Sequence, residues 1–237
     1  MPCRGVAQSA ARCVWDAEVV GSSPTTPTFY MNKALNLYKE FYIDRDYELV
    51  ALFRLLNERF DIHKVLYPGS YVHIAPSFIF PEVVYVDSFH KAKSFFDEPE
   101  VANFLKQRKE YQQEAHFTFS PQDYQKYLDL EPSSFDLLIS LYAGLISPAC
   151  KRYVRSGGLI LVNNSHGDAS IAALDPELSF VGAIDHRSGL FRLDEHNLEE
   201  YFIPKHPEKF TEEKIRKSGK GVGFTKTAFV YLFRKQG

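Results

Sequence analysis

The stretch Val65-Leu66-Tyr67-Pro68-Gly69-Ser70 is followed, eighteen positions after Gly69, by Asp87 at the end of Val83-Val84-Tyr85-Val86-Asp87. Two short apolar runs, a glycine between them and room for one helix predict a strand, a tight turn, a short helix and a second buried strand ending in a carboxylate. This is half of a nucleotide-binding βαβ unit: the glycine lets backbone approach a ligand, and an acid at the end of the next strand can accept from ribose hydroxyls. One glycine stands where dinucleotide-binding loops carry three.

The pattern continues along the chain. Leu49, Val50, Leu52, Phe53, Leu55, Leu56 and Phe60 recur at three- and four-residue spacing and predict an amphipathic helix ahead of the first strand. Strands are expected at Lys64–Tyr67, Val83–Val86, His116–Phe119, Phe135–Ser140 and Leu159–Val162. Later strand-like runs lie at Leu178–Ile184 and Gly189–Leu193, with a last strand at Ala228–Phe233. Helices are expected near 75–80, 91–96, 99–113, 147–155, 168–174 and 195–202, with Ser156-Gly157-Gly158 capping the fourth of these. Repeated β–α units predict an α/β, Rossmann-like three-layer sandwich. Its central sheet is expected to hold six or seven mostly parallel strands with a late antiparallel member, strand 1 lying beside the switch in strand order.

Composition bounds the class. The chain has 237 residues, 45% of them hydrophobic, and a net charge of −2, which suits one α/β domain and gives no global reason to expect nucleic acid or an anionic membrane. No apolar run reaches the roughly 18–20 residues that span a bilayer. Cys3, Cys13 and Cys150 form neither a metal spacing nor a disulfide framework, so a reducing, cytoplasmic setting is expected. The eight histidines are dispersed and no metal site is expected.

Residues 1–30 stand apart. They hold the single tryptophan, Trp15, show no periodicity, and run through Gly21-Ser22-Ser23-Pro24-Thr25-Thr26-Pro27-Thr28 toward Met31, directly after which helical sequence begins. Gly5-Val6-Ala7-Gln8 and Gly21-Ser22-Ser23-Pro24 resemble the translation, in one frame, of the start and T-arm of a transfer-RNA gene. The expectation is a start codon at Met31, with 31–237 as a single domain and 1–30 outside its core. Arg4 and Arg12 leave a targeting segment as the alternative, against which stand Asp16, Glu18 and the missing amphipathic stripe.

With these elements in order, the chain resembles the class I methyltransferases that bind S-adenosylmethionine. The resemblance covers nearly all of 48–235. Tyr67-Pro68-Gly69-Ser70 matches the first, glycine-bearing loop, Asp87 the ribose-binding acid, and Asp123 an acid that accepts from the adenine amino group. Phe135–Ser140 matches the fourth strand, and Gly157-Gly158-Leu159-Ile160-Leu161 the turn into the fifth. The resemblance implies cofactor contacts from Tyr67, Pro68, Gly69, Ser70, Asp87, Ser88, Asp123 and Ser140. It implies contacts to an unidentified small-molecule substrate from Tyr142, Asn163, Asn164, His166 and Asp168. The first loop lacks the family's preceding acid and its second and third glycines, and no Asn-Pro-Pro-aromatic tetrad follows strand 4. The alternative is therefore a non-catalytic Rossmann-like protein whose cofactor loop has decayed and which binds another ligand or a protein.

Each candidate also has a plainer reading. Gly69 can be an ordinary turn glycine, Asp87 a helix cap, and Asp123 a helix start. Asn163-Asn164-Ser165-His166-Gly167-Asp168 can bind a polar substrate at the carboxyl edge of the sheet, or be a polar loop in which Asp168 caps a helix. The basic segment around Lys214, Arg216, Lys217, Lys220 and Lys226 reads as a solvated loop before an anion site, and Cys150 as a buried structural thiol.

Overall fold

The structure, a computed structural model, describes residues 33–237; the expectations for residues 1–30 lie outside the described residues. The strands are β1 (Lys64–Pro68), β2 (Glu82–Val86), β3 (His116–Ser120), β4 (Phe135–Ser140), β5 (Val154–Val162), β6 (Leu178–Arg187), β7 (Leu190–Asp194) and β8 (Val230–Lys235). They form one sheet in the order β3-β2-β1-β4-β5-β8-β6-β7. The pairs β3–β2, β2–β1, β1–β4 and β4–β5 are parallel; β8 runs antiparallel to both β5 and β6, and β7 closes a hairpin with β6. The order reverses between β1 and β4, so β1 sits at the switch point as expected, where open α/β sheets form a crevice at the strands' carboxyl ends. All eight strand-like runs of the sequence enter the sheet, one strand more than the upper expected number, with β7 at the edge.

The helices are α1 (Lys33–Tyr38), α2 (Val50–Arg59), α3 (Pro76–Ile79), α4 (His90–Phe96), α5 (Pro99–Arg108), α6 (Ser147–Cys150), α7 (Asp168–Leu174) and α8 (Glu212–Ser218). One turn of π-helix, Lys39–Ile43, continues α1. Alternation along the strands sends side chains to opposite faces. Val65, Tyr67, Val83, Tyr85, Leu137 and Ile139 pack under α1–α5 in one core; Leu66, Val84, Val86, Leu138, Ile160 and Val162 pack with α6 and α7 in the other. Near-continuous apolar strands buried on both faces are what a parallel sheet requires.

Three local expectations are corrected. The helix expected over 147–155 ends as α6 at Cys150, followed by a 3-10 turn, and β5 begins at Val154. Ser156-Gly157-Gly158 therefore lies inside a strand. The pairing with β4 shifts register between Phe135 and Leu137, and Gly157 takes φ +74°, the left-handed geometry of a bulge. The basic segment opens as a helix: Thr211 caps α8 by accepting from the Lys214 amide at 3.4 Å, and Gly219 ends it at φ +62°. The helix expected at 195–202 is one 3-10 turn, Leu198–Glu200.

Candidate binding site

Beyond β1 the chain turns sharply. Gly69 takes φ +64° and its amide donates to the Val86 carbonyl at 2.7 Å, which prolongs the β1–β2 ladder by one bond. Tyr71 then adopts φ +50°, a left-handed conformation that costs a non-glycine residue about 1–2 kcal/mol. Asp87 holds it there: Oδ2 accepts the Tyr71 amide at 2.9 Å, and Oδ1 accepts the Phe89 amide at 2.8 Å. The second bond is an Asx turn that leads into α4.

The end of β4 repeats this device. Tyr142 takes φ +60° and its amide donates to Asn163 Oδ1 at 3.4 Å, from the end of neighbouring β5. Ser165 Oγ donates to the same oxygen at 3.0 Å, while Asn163 Nδ2 is buried with no partner among the described residues.

Between these two strained tyrosines opens a pocket of about 470 Å³. Its floor is Tyr67, His73 and Leu141; Gly69, Ser70, Tyr71 and Tyr142 form one wall; Phe41, Tyr42, Arg45 and Tyr47, from the π-turn and the segment before α2, form the other. His73 is buried and fully engaged. Its Nε2 lies 2.9 Å from the Glu48 carbonyl, its Nδ1 lies 3.1 Å from Tyr67 Oη, and Tyr42 stacks on it at 4.4 Å. A carbonyl only accepts, so Nε2 carries the proton and Nδ1 accepts from the Tyr67 hydroxyl. Burial pulls the His73 pKa down to about 4, against the opposing effect of the Glu48 hydrogen bond, so the ring is neutral at pH 7. Tyr47 Oη is buried and makes no well-formed hydrogen bond among the described residues, its ring edge-on to Tyr142 at 5.7 Å. Burial first, then the neighbouring Tyr142, raises the Tyr47 phenol well above its ordinary value. Phe41, Tyr42, Arg45, Tyr47 and His73 carry no motif signal in the sequence. Their relevance comes from the turn that folds 41–47 over the end of β1.

Of the residues singled out in the sequence, Tyr67, Gly69, Ser70 and Tyr142 line this pocket, and the others lie elsewhere. Pro68 ends β1, paired with Val86, and Ser88 is exposed. Asp123 closes a turn through Oδ1, which accepts the Gln125 amide at 3.0 Å. Ser140 and Asp168 form a buried knot behind the pocket. The Asp168 carboxylate accepts from Ser140 Oγ, from Ser147 Oγ at 2.6 Å and from the Ser147 amide at 3.0 and 3.1 Å, joining β4, α6 and α7. Asn164 is a latch: it accepts from the Ser170 amide at 3.1 Å and hydroxyl at 2.7 Å, and donates to the Val222 carbonyl at 3.0 Å. His166 is exposed.

This arrangement tests the cofactor that the resemblance implies. A Cβ placed on Gly69 would overlap that of Ala143, so the glycine's bare face is covered by the loop after β4. Tyr124 Oη donates to the Ala143 carbonyl, and the Tyr124 ring lies 3.6 Å from the same Cβ position. Asp87, Ser88 and Asp123 line no part of the pocket. As arranged, the residues provide room for a small molecule beside β1 and β4, and the 141–144 loop packs on Gly69.

No protein-family model matches the chain, and no curated protein matches it. Among solved structures it is similar to an S-adenosylmethionine-dependent methyltransferase, possibly a histamine N-methyltransferase, from Thermotoga maritima, at 9% identity over 86% of this chain and 96% of that one, with a TM-score of 0.45. It is similar to the N-methyltransferase NodS from Bradyrhizobium japonicum at 13% identity over 84% of this chain and 99% of that one, TM-score 0.45. It also resembles the [4+2]-cyclase SpnF at 15% identity and TM-score 0.35 over 48% of this chain, and spans 43% of that protein's length. The chain has a class I methyltransferase-like, Rossmann-type fold; strand order and strand direction carry that assignment. No helix among the described residues is long and apolar enough to cross a membrane.

Proposed function

We propose that this protein uses a methyltransferase-type fold to bind a small molecule in the tyrosine-lined pocket at the ends of β1 and β4. The observation that carries this reading is the convergence of two left-handed tyrosines, Tyr71 and Tyr142, on one pocket, each held by a side chain from the end of the adjacent strand. Backbone strain of this kind persists only where its surroundings over-determine it, and it gathers at binding sites. The near-neutral charge of the chain favours a small-molecule partner over nucleic acid or a membrane surface.

A second reading is S-adenosylmethionine-dependent methylation of a small molecule. Asp87 favours it: the acid stands at the end of β2 beside loop 67–70, and a carboxylate retains lone pairs after accepting two amides. It requires the 141–144 loop to leave Gly69. Isothermal titration of the full chain with S-adenosylmethionine and S-adenosylhomocysteine decides between the readings. Saturable binding that weakens in Asp87→Asn supports the methyltransferase. A silent titration for both compounds supports a site that has lost its nucleoside half.

A further inference from the structure

We infer that the pocket selects a small planar acid that also carries a hydrogen-bond donor, the donor directed to the floor at Tyr67 and the acid group to the rim at Arg45. The inference rests on the reading of this pocket as the ligand site and names the chemistry of what it takes.

The floor defines one end. Because the Tyr67 proton is committed to His73 Nδ1, Tyr67 Oη presents only lone pairs to the pocket. It therefore accepts and does not donate. A hydroxyl or amino group on the ligand satisfies it, whereas a ligand carbonyl or carboxylate placed there meets oxygen against oxygen. Tyr47 Oη, buried with the Tyr142 hydroxyl near it and no well-formed hydrogen bond among the described residues, supplies a second polar contact of either sense.

The rim defines the other end. Arg45 is exposed, its guanidinium lies 4.8 Å over the Phe41 ring, and its Nε donates to the Glu40 carbonyl at 3.1 Å. It has no carboxylate partner among the described residues, and no Asp or Glu lines the pocket. Arg45 thus brings a positive charge to the lining, and guanidinium pairs well with a carboxylate. The nearest acids, Glu40 and Asp87 beside Tyr71 and Asp46 next in the chain, lie outside the lining. Between floor and rim the walls are the rings of Tyr42, Tyr47 and Tyr142, which receive a flat body by edge and face contacts.

The test is titration of the full chain with four probes of one shape: 6-hydroxy-2-naphthoate, with both groups; 2-naphthoate, without the donor; 2-naphthol, without the acid; and 2-naphthylmethylamine, a cation. The expected result is that hydroxynaphthoate binds about tenfold or more tightly than each of the others. In Arg45→Ala its advantage over naphthol is lost, and in Tyr67→Phe its advantage over naphthoate is lost. Arg45 is exposed, so its variant folds and keeps the test decisive even if Tyr67→Phe proves unstable. Tighter binding of the amine, or an Arg45→Ala variant that keeps the full preference for the acid, overturns the ligand class and leaves the pocket reading standing. No binding of any of the four probes overturns both.

Discussion

The Asp87 carboxylate accepts the Tyr71 amide at 2.9 Å, tying the end of the second strand to the loop that leaves the first. An acid at the end of β2 thus keeps a left-handed tyrosine in the wall of a neighbouring pocket. Tyr142 and Asn163 form the same relation one strand pair away. The pocket is shaped by strand ends reaching sideways, and its walls depend on residues that do not line it.

Asp87→Ala is therefore expected to act on stability. Hydrogen bonds to charged groups contribute roughly 1.5–3 kcal/mol each in favourable settings, and Asp87 makes two while only half-buried. A loss of roughly 2 kcal/mol is expected, measured by urea unfolding at pH 7. An unchanged midpoint would show that the Tyr71 turn holds without its acceptor.

Gly69 and Ala143 give a sharper test, because their contact decides whether the glycine serves packing or a ligand. Gly69→Ala places a methyl group into that of Ala143 and forces alanine to φ +64°. Overpacking costs about 1–3 kcal/mol and the left-handed backbone about 1–2 kcal/mol more. Ala143→Gly removes the overlap but not the backbone cost. The double variant should accordingly recover part of the lost stability, with a coupling of at least about 1 kcal/mol in a double-mutant cycle. Additive losses would mean that the two residues do not meet in solution.

These residues also mark how far the sequence could be read. The βαβ unit, the position of β1 at the switch point and the buried β4 were legible because apolar runs of strand length bounded by glycine and polar residues leave few alternatives. The helix expected over 168–174 is α7. Strand β5 was not read to its start, since Ser156-Gly157-Gly158 has the composition of a helix cap and only its pairing with β4 makes it a bulge. Of the candidate residues, Tyr67, Gly69, Ser70 and Tyr142 follow from topology, which alone places strand ends around a crevice. Asp168 and Asn164 carry the same side-chain chemistry whether they face a ligand or satisfy Ser147 and Ser170, and sequence does not say which. Tyr47, His73 and Arg45 were out of reach, because the turn that brings 41–47 over β1 has no local signature.

His73 makes stability depend on pH. Its folded pKa of about 4 lies below the ordinary 6.5, so between these values the unfolded chain binds the proton and the folded one does not. Its contribution is fully present above pH 6.5 and is lost as pH falls toward 4. The total is roughly 3 kcal/mol at about 1.4 kcal/mol per unit. His73→Gln has no such group. The variant should be less stable than the parent at pH 7 and close much of that gap by pH 4.5, as read from denaturant midpoints across the range. Parallel pH curves would mean that His73 charges freely in the folded state.

Asp168 tests whether the polar loop after β5 is structural or part of the site. Its carboxylate is buried and collects donors from Ser140 and Ser147 on both oxygens. In Asp168→Asn the amide nitrogen cannot accept from the Ser147 N–H, and the serine hydroxyls must turn to compensate. Leaving buried donors without acceptors costs about 1–3 kcal/mol, so a fall of that size in unfolding free energy is expected at pH 7. Burial holds the Asp168 pKa above its ordinary 3.8, with the serine hydrogen bonds opposing. Here the folded state binds the extra proton, the reverse of His73. The parent's advantage over the asparagine variant should therefore widen as pH falls from neutrality toward 3.8. Because Asp168 lies outside the pocket, hydroxynaphthoate affinity should be the same in both proteins when measured well below the unfolding midpoint. A variant with unchanged stability and weakened affinity would instead place Asp168 in contact with the ligand.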